Sequence, residues 1–205
     1  MPSLTLAVLG DSIAYGTGAR SSADALGPRL TAALTADGFD VSLHVLAVPG
    51  AVSRDLGPQV ERARRLRPDV AVVVIGANDL ARFVPVDRAV GPLAAALRDL
   101  RAMGTDVVLV PAPDMSAVPF VPPAFRPAVQ AACRTLQREQ TSVAESTGCV
   151  VATEVAAVAG AFGSDPALFS HDRFHPSSAG YARIAAALAP YVLDAARERR
   201  DEPAA

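Results

Sequence analysis

Lysine is missing altogether from this 205-residue chain, and all 19 basic residues are arginine. That absence removes every mechanism built on a lysine amine: Schiff bases, a phosphate-cradling P-loop lysine and Ser–Lys dyads. Cysteine is almost as scarce. Two thiols, Cys133 and Cys149, do not make a disulfide framework or a zinc site in a chain of this size, and they read as buried free thiols. No excess of one charge is present either. A net charge of −2 and a pI near 5.9 leave no electrostatic footprint for nucleic acid or an anionic membrane. Long apolar runs are lacking too. The longest alanine-rich stretch, residues 184–196, is too short to span a bilayer and is interrupted by Pro190 and Asp194. The amino terminus carries no basic segment and no small-residue cleavage site. These features predict a soluble cytoplasmic protein with no nucleic-acid partner and no integral membrane association; they say nothing of oligomeric state.

What is present is an alternation of short apolar runs with longer amphipathic ones. Strands are expected at residues 4–9, 41–47, 70–75, 107–110 and 149–153. The first, third and fourth are nearly continuous in Leu, Val and Ile, as in parallel strands covered on both faces. Helices are expected at residues 23–36, 53–66, 87–103, 124–147 and 177–197. Asp37-Gly38 and Met103-Gly104 stop two of them, and Ser53 and Ser177 are placed as caps. Such β-α alternation predicts an α/β fold, a three-layer α/β/α doubly wound, five-stranded parallel sheet in the flavodoxin-like order 2-1-3-4-5. A single domain over residues 1–197 is expected, followed by a frayed, charged tail at 198–205.

Several polar residues fall just after these strands. Ser12 follows the first strand in Gly10-Asp11-Ser12, Gly50 follows the second, and Asn78 follows the third in Gly76-Ala77-Asn78-Asp79. Asp172 and His175 follow the fifth, in Asp172-Arg173-Phe174-His175-Pro176. All therefore belong at the carboxyl edge of the sheet, where open α/β sheets bind ligands. A serine hydroxyl needs a base, for which His175 is the candidate, and an imidazole needs an orienting carboxylate, for which Asp172 is the candidate. The developing oxyanion needs donors fixed in advance: the backbone N–H of Ser12 and of Gly50, and the Asn78 amide. Asp11 reads as a brace for neighbouring loops rather than the triad acid. No Gly-x-Ser-x-Gly elbow occurs, which sets the α/β-hydrolase reading aside.

These four blocks, in this order, resemble the SGNH (GDSL-type) hydrolases. The resemblance runs from Gly10 to about Tyr181, with Ile13 standing where the family often has leucine. It implies a serine esterase or acylhydrolase that needs no metal or cofactor and takes a small-molecule ester. An acyltransferase using the same triad, or a non-catalytic module holding a phosphate at the turn 10–18, are the alternative readings. The remaining histidines are less well placed: His44 sits mid-strand, and His171 lacks a carboxylate at the matching offset.

Four more residues are candidates for substrate contact. Arg82 and Arg173 either border the site and favour an anionic group or are solvated surface arginines. The loop 111–127 holds six prolines together with Met115, Val118, Phe120, Val121 and Phe125. Such a loop either lines a substrate pocket, with Phe120 and Phe125 in contact with the acyl group, or packs on the domain surface.

Overall fold

A computed structural model describes residues 1–201. Five parallel strands form one sheet: β1 (Ser3–Gly10), β2 (Asp40–Val45), β3 (Val70–Val74), β4 (Asp106–Val110) and β5 (Val150–Val151). Their order is β2-β1-β3-β4-β5, the doubly wound arrangement expected from the alternation of apolar runs. The crossovers are α2 (Leu26–Ala36), α3 (Leu56–Leu66), α5 (Val86–Ala102) and α6 (Arg126–Ser146), and the long α8 (Ser178–Asp201) closes the chain.

Alternation along the buried strands sorts side chains into two cores. Leu4, Leu6 and Val8 of β1 face one side with Leu30 and Leu34 of α2 and Leu188 of α8. Ala7 and Leu9 face the other, against Val60 of α3 and Leu93 and Leu97 of α5. Leu6, Val8 and Leu9 are wholly buried. Truncating one such leucine to alanine costs about 2–5 kcal/mol, because a close-packed interior cannot fully collapse into the space.

The differences from the sequence expectation lie where side chains are small or charged. An extra helix, α7 (Glu154–Ser164), separates β5 from Asp172. Its sequence, EVAAVAGAFGS, is so rich in Ala and Gly that it carries little helical periodicity. Two short helices, α1 (Ser12–Tyr15) and α4 (Ala77–Ala81), were also not foreseen. The fifth strand shrinks to two residues. Ser53 is not a helix cap, since its N–H and Oγ both donate to Asp79. Ser177 is one: its Oγ accepts from the N–H of Gly180.

Helix α8 does not end at residue 197 but continues to Asp201, so part of the expected tail is ordered. The anchors are ionic rather than apolar. Arg197 donates to Asp37 at 2.9 Å, and Arg199 donates to Asp106 at 3.0 Å and Asp69 at 3.3 Å. The rest of the expected tail, 202–205, lies outside the described residues. Among the described residues, no helix is long and apolar enough to cross a membrane.

Candidate active site

The carboxyl end of β1 carries Ser12 directly. Gly10 is the last strand residue, with φ of 132°, and a Cβ there would stand 1.8 Å from the carbonyl oxygen of Val74 on β3. Only glycine lets the chain turn this close to its neighbour. Both backbone groups of Gly10 are held by one buried side chain. Gln59 of α3 accepts from its N–H at 2.7 Å and donates to its carbonyl at 2.9 Å. Asp11 then caps α1 by accepting from the N–H of Ile13 at 2.9 Å, and Ser12 emerges 6% exposed.

The partner of Ser12 arrives from a tight turn ahead of α8. Asp172 Oδ1 accepts from the N–H groups of Phe174 and His175, each at 2.9 Å, and from Ser170 Oγ at 2.7 Å. Its other oxygen lies 2.7 Å from His175 Nδ1, and His175 Nε2 lies 3.0 Å from Ser12 Oγ. With the ring proton on Nδ1 and donated to Asp172, Nε2 is left to accept from the serine. Burial alone would raise the Asp172 pKa. The bonds from His175, Ser170 and the two backbone N–H groups outweigh it and hold the carboxylate well below its usual range.

Two contacts lock this turn onto the serine loop. Gly18 (φ 94°) passes so near it that a Cβ would meet the carbonyl oxygen of Pro176 at 2.5 Å and the Cβ of His175 at 2.9 Å. The buried Tyr181 of α8 donates its hydroxyl to the carbonyl of Thr17 at 2.8 Å.

The other two blocks meet beside Ser12. Asn78, in the first turn of α4, donates from Nδ2 to the carbonyl of Ala51 at 3.0 Å. That single bond leaves its second amide hydrogen without an acceptor among the described residues. Asp79 accepts the N–H and hydroxyl of Ser53, each at 3.0 Å, so both loops are fastened together by Asn78 and Asp79. Burial raises the Asp79 pKa against the pull of the Ser53 bonds. The backbone N–H groups of Ser12 and Gly50 likewise have no protein acceptor among the described residues.

The four candidate substrate contacts behave differently from one another. Arg82 is exposed and donates to the carbonyl of Gly50 at 2.9 Å, so it steadies the turn that presents the Gly50 N–H. Arg173 is exposed at the tip of the Asp172–His175 turn, with φ of 57°. A cavity of about 100 Å³ opens beside Ser12 and His175, and the loop 111–127 lines it through Pro111, Met115 and Val118 rather than Phe120 or Phe125. Phe120 and Phe125 are each 62% exposed. Phe120 stacks on Phe174 with ring centroids 5.7 Å apart, while Phe125 does not line the cavity.

Sequence reasoning missed the glutamines. Gln140 of α6, fully buried, accepts from the N–H of Ala112 at 2.8 Å and donates to the carbonyl of Ile75 at 3.0 Å. It thereby does for β3 and β4 what Gln59 does for β1. The signal was present: Gln59 and Gln140 occupy positions on the buried stripes of their helices, with Leu56, Val60 and Ala63, and with Cys133, Leu136 and Ala144. A polar residue on an apolar stripe asks for a buried partner. Both thiols are buried, as expected, and burial pushes their pKa values up. Among the described residues no group of three His, Cys, Asp or Glu is arranged to hold a metal ion.

Comparison with known proteins agrees with this architecture. In sequence the chain is 32% identical over 202 residues to a GDSL-like esterase of Mycobacterium tuberculosis, covering 97% of this chain but 64% of that protein's length. Among solved structures, TesA superposes with a TM-score of 0.75 at 22% identity, covering 93% of this chain and 99% of TesA. The acetylxylan esterase Axe2 of Geobacillus stearothermophilus gives 0.73 at 22% identity, covering 92% and 94% of the two chains. At such identities these structures speak for the fold. The family model for the GDSL-like lipase/acylhydrolase family matches residues 8–183. That match takes in the Ser12 turn, both donor loops and the Asp172–His175 turn, and the chain therefore belongs to the GDSL-like lipase/acylhydrolase family.

Proposed function

We propose that this protein is a serine-dependent carboxylic ester hydrolase working through a covalent acyl-enzyme on Ser12. One observation carries the reading: Ser12 Oγ, His175 and Asp172 form a continuous chain with separations of 3.0 and 2.7 Å, at a sheet edge beside unpaired N–H donors. Family membership and the esterase relative support it.

In this reading Ser12 Oγ attacks the ester carbonyl carbon while its proton passes to His175 Nε2. Asp172, held ionised by four hydrogen bonds, keeps the imidazole in the required tautomer and stabilises the imidazolium. The carbonyl oxygen becomes an oxyanion and accepts from the N–H groups of Ser12 and Gly50 and from the spare Asn78 amide hydrogen. Collapse expels the alcohol, which takes the proton from Nε2. Water then attacks the acyl carbon while His175 Nε2 accepts its proton, and the tetrahedral intermediate collapses to a carboxylic acid as Nε2 returns that proton to the departing Ser12 Oγ. No cofactor or metal takes part in any of these steps.

The test is covalent labelling. An alkyl fluorophosphonate should abolish aryl-ester hydrolysis and add its mass to the Ser12 peptide, and Ser12→Ala should lack both activity and label. Label on another residue, or turnover surviving in Ser12→Ala, would refute the assignment.

A further inference from the structure

The cavity beside Ser12 has a definite direction. Gly50 lies after β2, on one side of Ser12, whereas the cavity opens on the other side, between the carboxyl ends of β3 and β4 and the helices α7 and α8. Val74 and Val110 stand at the strand ends, Val155, Val158 and Phe162 come from α7, and Ile184 comes from α8. Met115 and Ala117 cover it from the single helical turn Met115–Ala117. Apart from Ser12, His175 and Asp114, its lining is apolar. The opposite flank of the site is open, with Tyr15 at 55% and Val48 at 44% exposure.

An ester places its two arms on either side of the carbonyl carbon. The alcohol must depart and water must enter while the acyl group stays attached to Ser12. The open flank therefore suits the alcohol, and the apolar recess suits the acyl chain. Its size sets a limit. An apolar cavity of about 150 Å³ holds one benzene, six carbons, so a cavity of about 100 Å³ corresponds to about four.

We propose that this recess is the acyl-binding site and takes short acyl groups of about four carbons, with Val158, Phe162 and Ile184 setting the length limit. The proposal rests on the reading of Ser12 as the acyl acceptor. Each added methylene buried in the recess contributes roughly a fourfold gain in kcat/KM. Butyryl should thus exceed acetyl by roughly 15-fold, and chains that outgrow the recess should lose that gain.

The test uses 4-nitrophenyl acetate, butyrate, hexanoate and decanoate with the wild-type protein, Val158→Phe and Val158→Ala. Ratios of kcat/KM between esters are compared within each variant, so a partly folded variant still reports. The wild type should peak at butyrate or hexanoate, with decanoate at least roughly tenfold below the peak. Val158→Phe should cut the butyrate-to-acetate ratio roughly tenfold or more, and Val158→Ala should move the peak to longer chains. Should Val158→Phe not fold, the wild-type and Val158→Ala profiles decide.

A second arm fixes the acyl group as acetyl and lengthens the alcohol from ethyl to hexyl, which should leave kcat/KM within about threefold, since an arm in open solvent gains little. A profile flat in the acyl series but steep in the alcohol series would overturn the proposal, as would a wild-type peak at decanoate or length ratios indifferent to residue 158. In each of those cases fluorophosphonate still labels Ser12, and the hydrolase reading stands. Absence of both label and turnover would instead remove that reading, and the acyl site with it.

Discussion

Asp11 lies directly under the serine loop and is 1% exposed. Its Oδ1 accepts from Ile13 N–H, but its Oδ2 has no partner among the described residues. Burial, opposed by the Ile13 bond and the nearby Ala77 N–H and reinforced by the Asp79 carboxylate, pushes its pKa from 3.8 up to about 7. A carboxyl raised on folding holds its proton in the native state where the unfolded chain has already released it. Between these two pKa values the native state binds more protons, so stability falls as pH rises; above pH 7 the penalty is fully present, and below pH 3.8 it is absent. A shift of about three units is worth about 4 kcal/mol in all, of which about 2–3 kcal/mol develops between pH 5 and pH 8. Asp11→Asn keeps an oxygen for the Ile13 N–H but does not titrate. Its amide leaves an unpartnered donor, a cost of about 1–3 kcal/mol that is independent of pH. The stability difference between Asp11→Asn and wild type, measured by urea unfolding at pH 5, 6, 7 and 8, should therefore move by about 2–3 kcal/mol in favour of asparagine across that range. Asp172, whose pKa is depressed, contributes its change at lower pH and cancels in the difference. Parallel pH profiles for the two proteins would show that Asp11 is ionised without penalty, and the account of its burial would be wrong.

Asn78→Ala should lower kcat by about 10²–10³-fold with KM nearly unchanged, because the spare amide hydrogen acts on the oxyanion; an effect confined to KM would make Asn78 a substrate-binding residue. Gln59→Ala leaves the buried N–H of Gly10 unpaired, while its carbonyl keeps the N–H of Val48 at 3.0 Å, and should destabilise the protein by about 1–3 kcal/mol, read from the urea midpoint. A loss below about 1 kcal/mol would show that water replaces the glutamine. Phe125→Ala should leave the butyrate-to-acetate ratio within about twofold, since that ring lies outside the recess, in contrast to substitutions at Val158. A large change in the ratio would place Phe125 against the substrate.

The amino-acid sequence determined the architecture and the chemical inventory. Nearly continuous, Val-rich runs at Val70–Val74 and Asp106–Val110, each only five residues long, suit strands covered on both faces, and the intervening amphipathic segments supply the cover. Glycine at positions 10 and 50, beside Ser12 and ahead of Asn78, marks where strands turn into loops, so the residues of the candidate site could be named from local spacing. What local spacing does not carry is the meeting of distant segments. The 3.0 Å approach of His175 to Ser12 spans 163 residues and depends on Tyr181 reaching Thr17 and on Gly18 admitting the histidine turn. Helix α7 was illegible because alanine and glycine carry little periodic signal, and with it went the wall of the recess. Gln59 and Gln140 were visible as polar residues on buried stripes, but only packing supplies the backbone groups that they satisfy. The arginines of α8 read as solvent-exposed until the fold brought Asp37, Asp69 and Asp106 within reach. Even the assignment of the loop 111–127 turned on tertiary placement, since Met115 and Val118 face the cavity while Phe120 and Phe125 remain outside it. Sequence periodicity records which face of an element is apolar; which neighbour covers that face, and how much space is left between them, is decided only when all the layers close on one another.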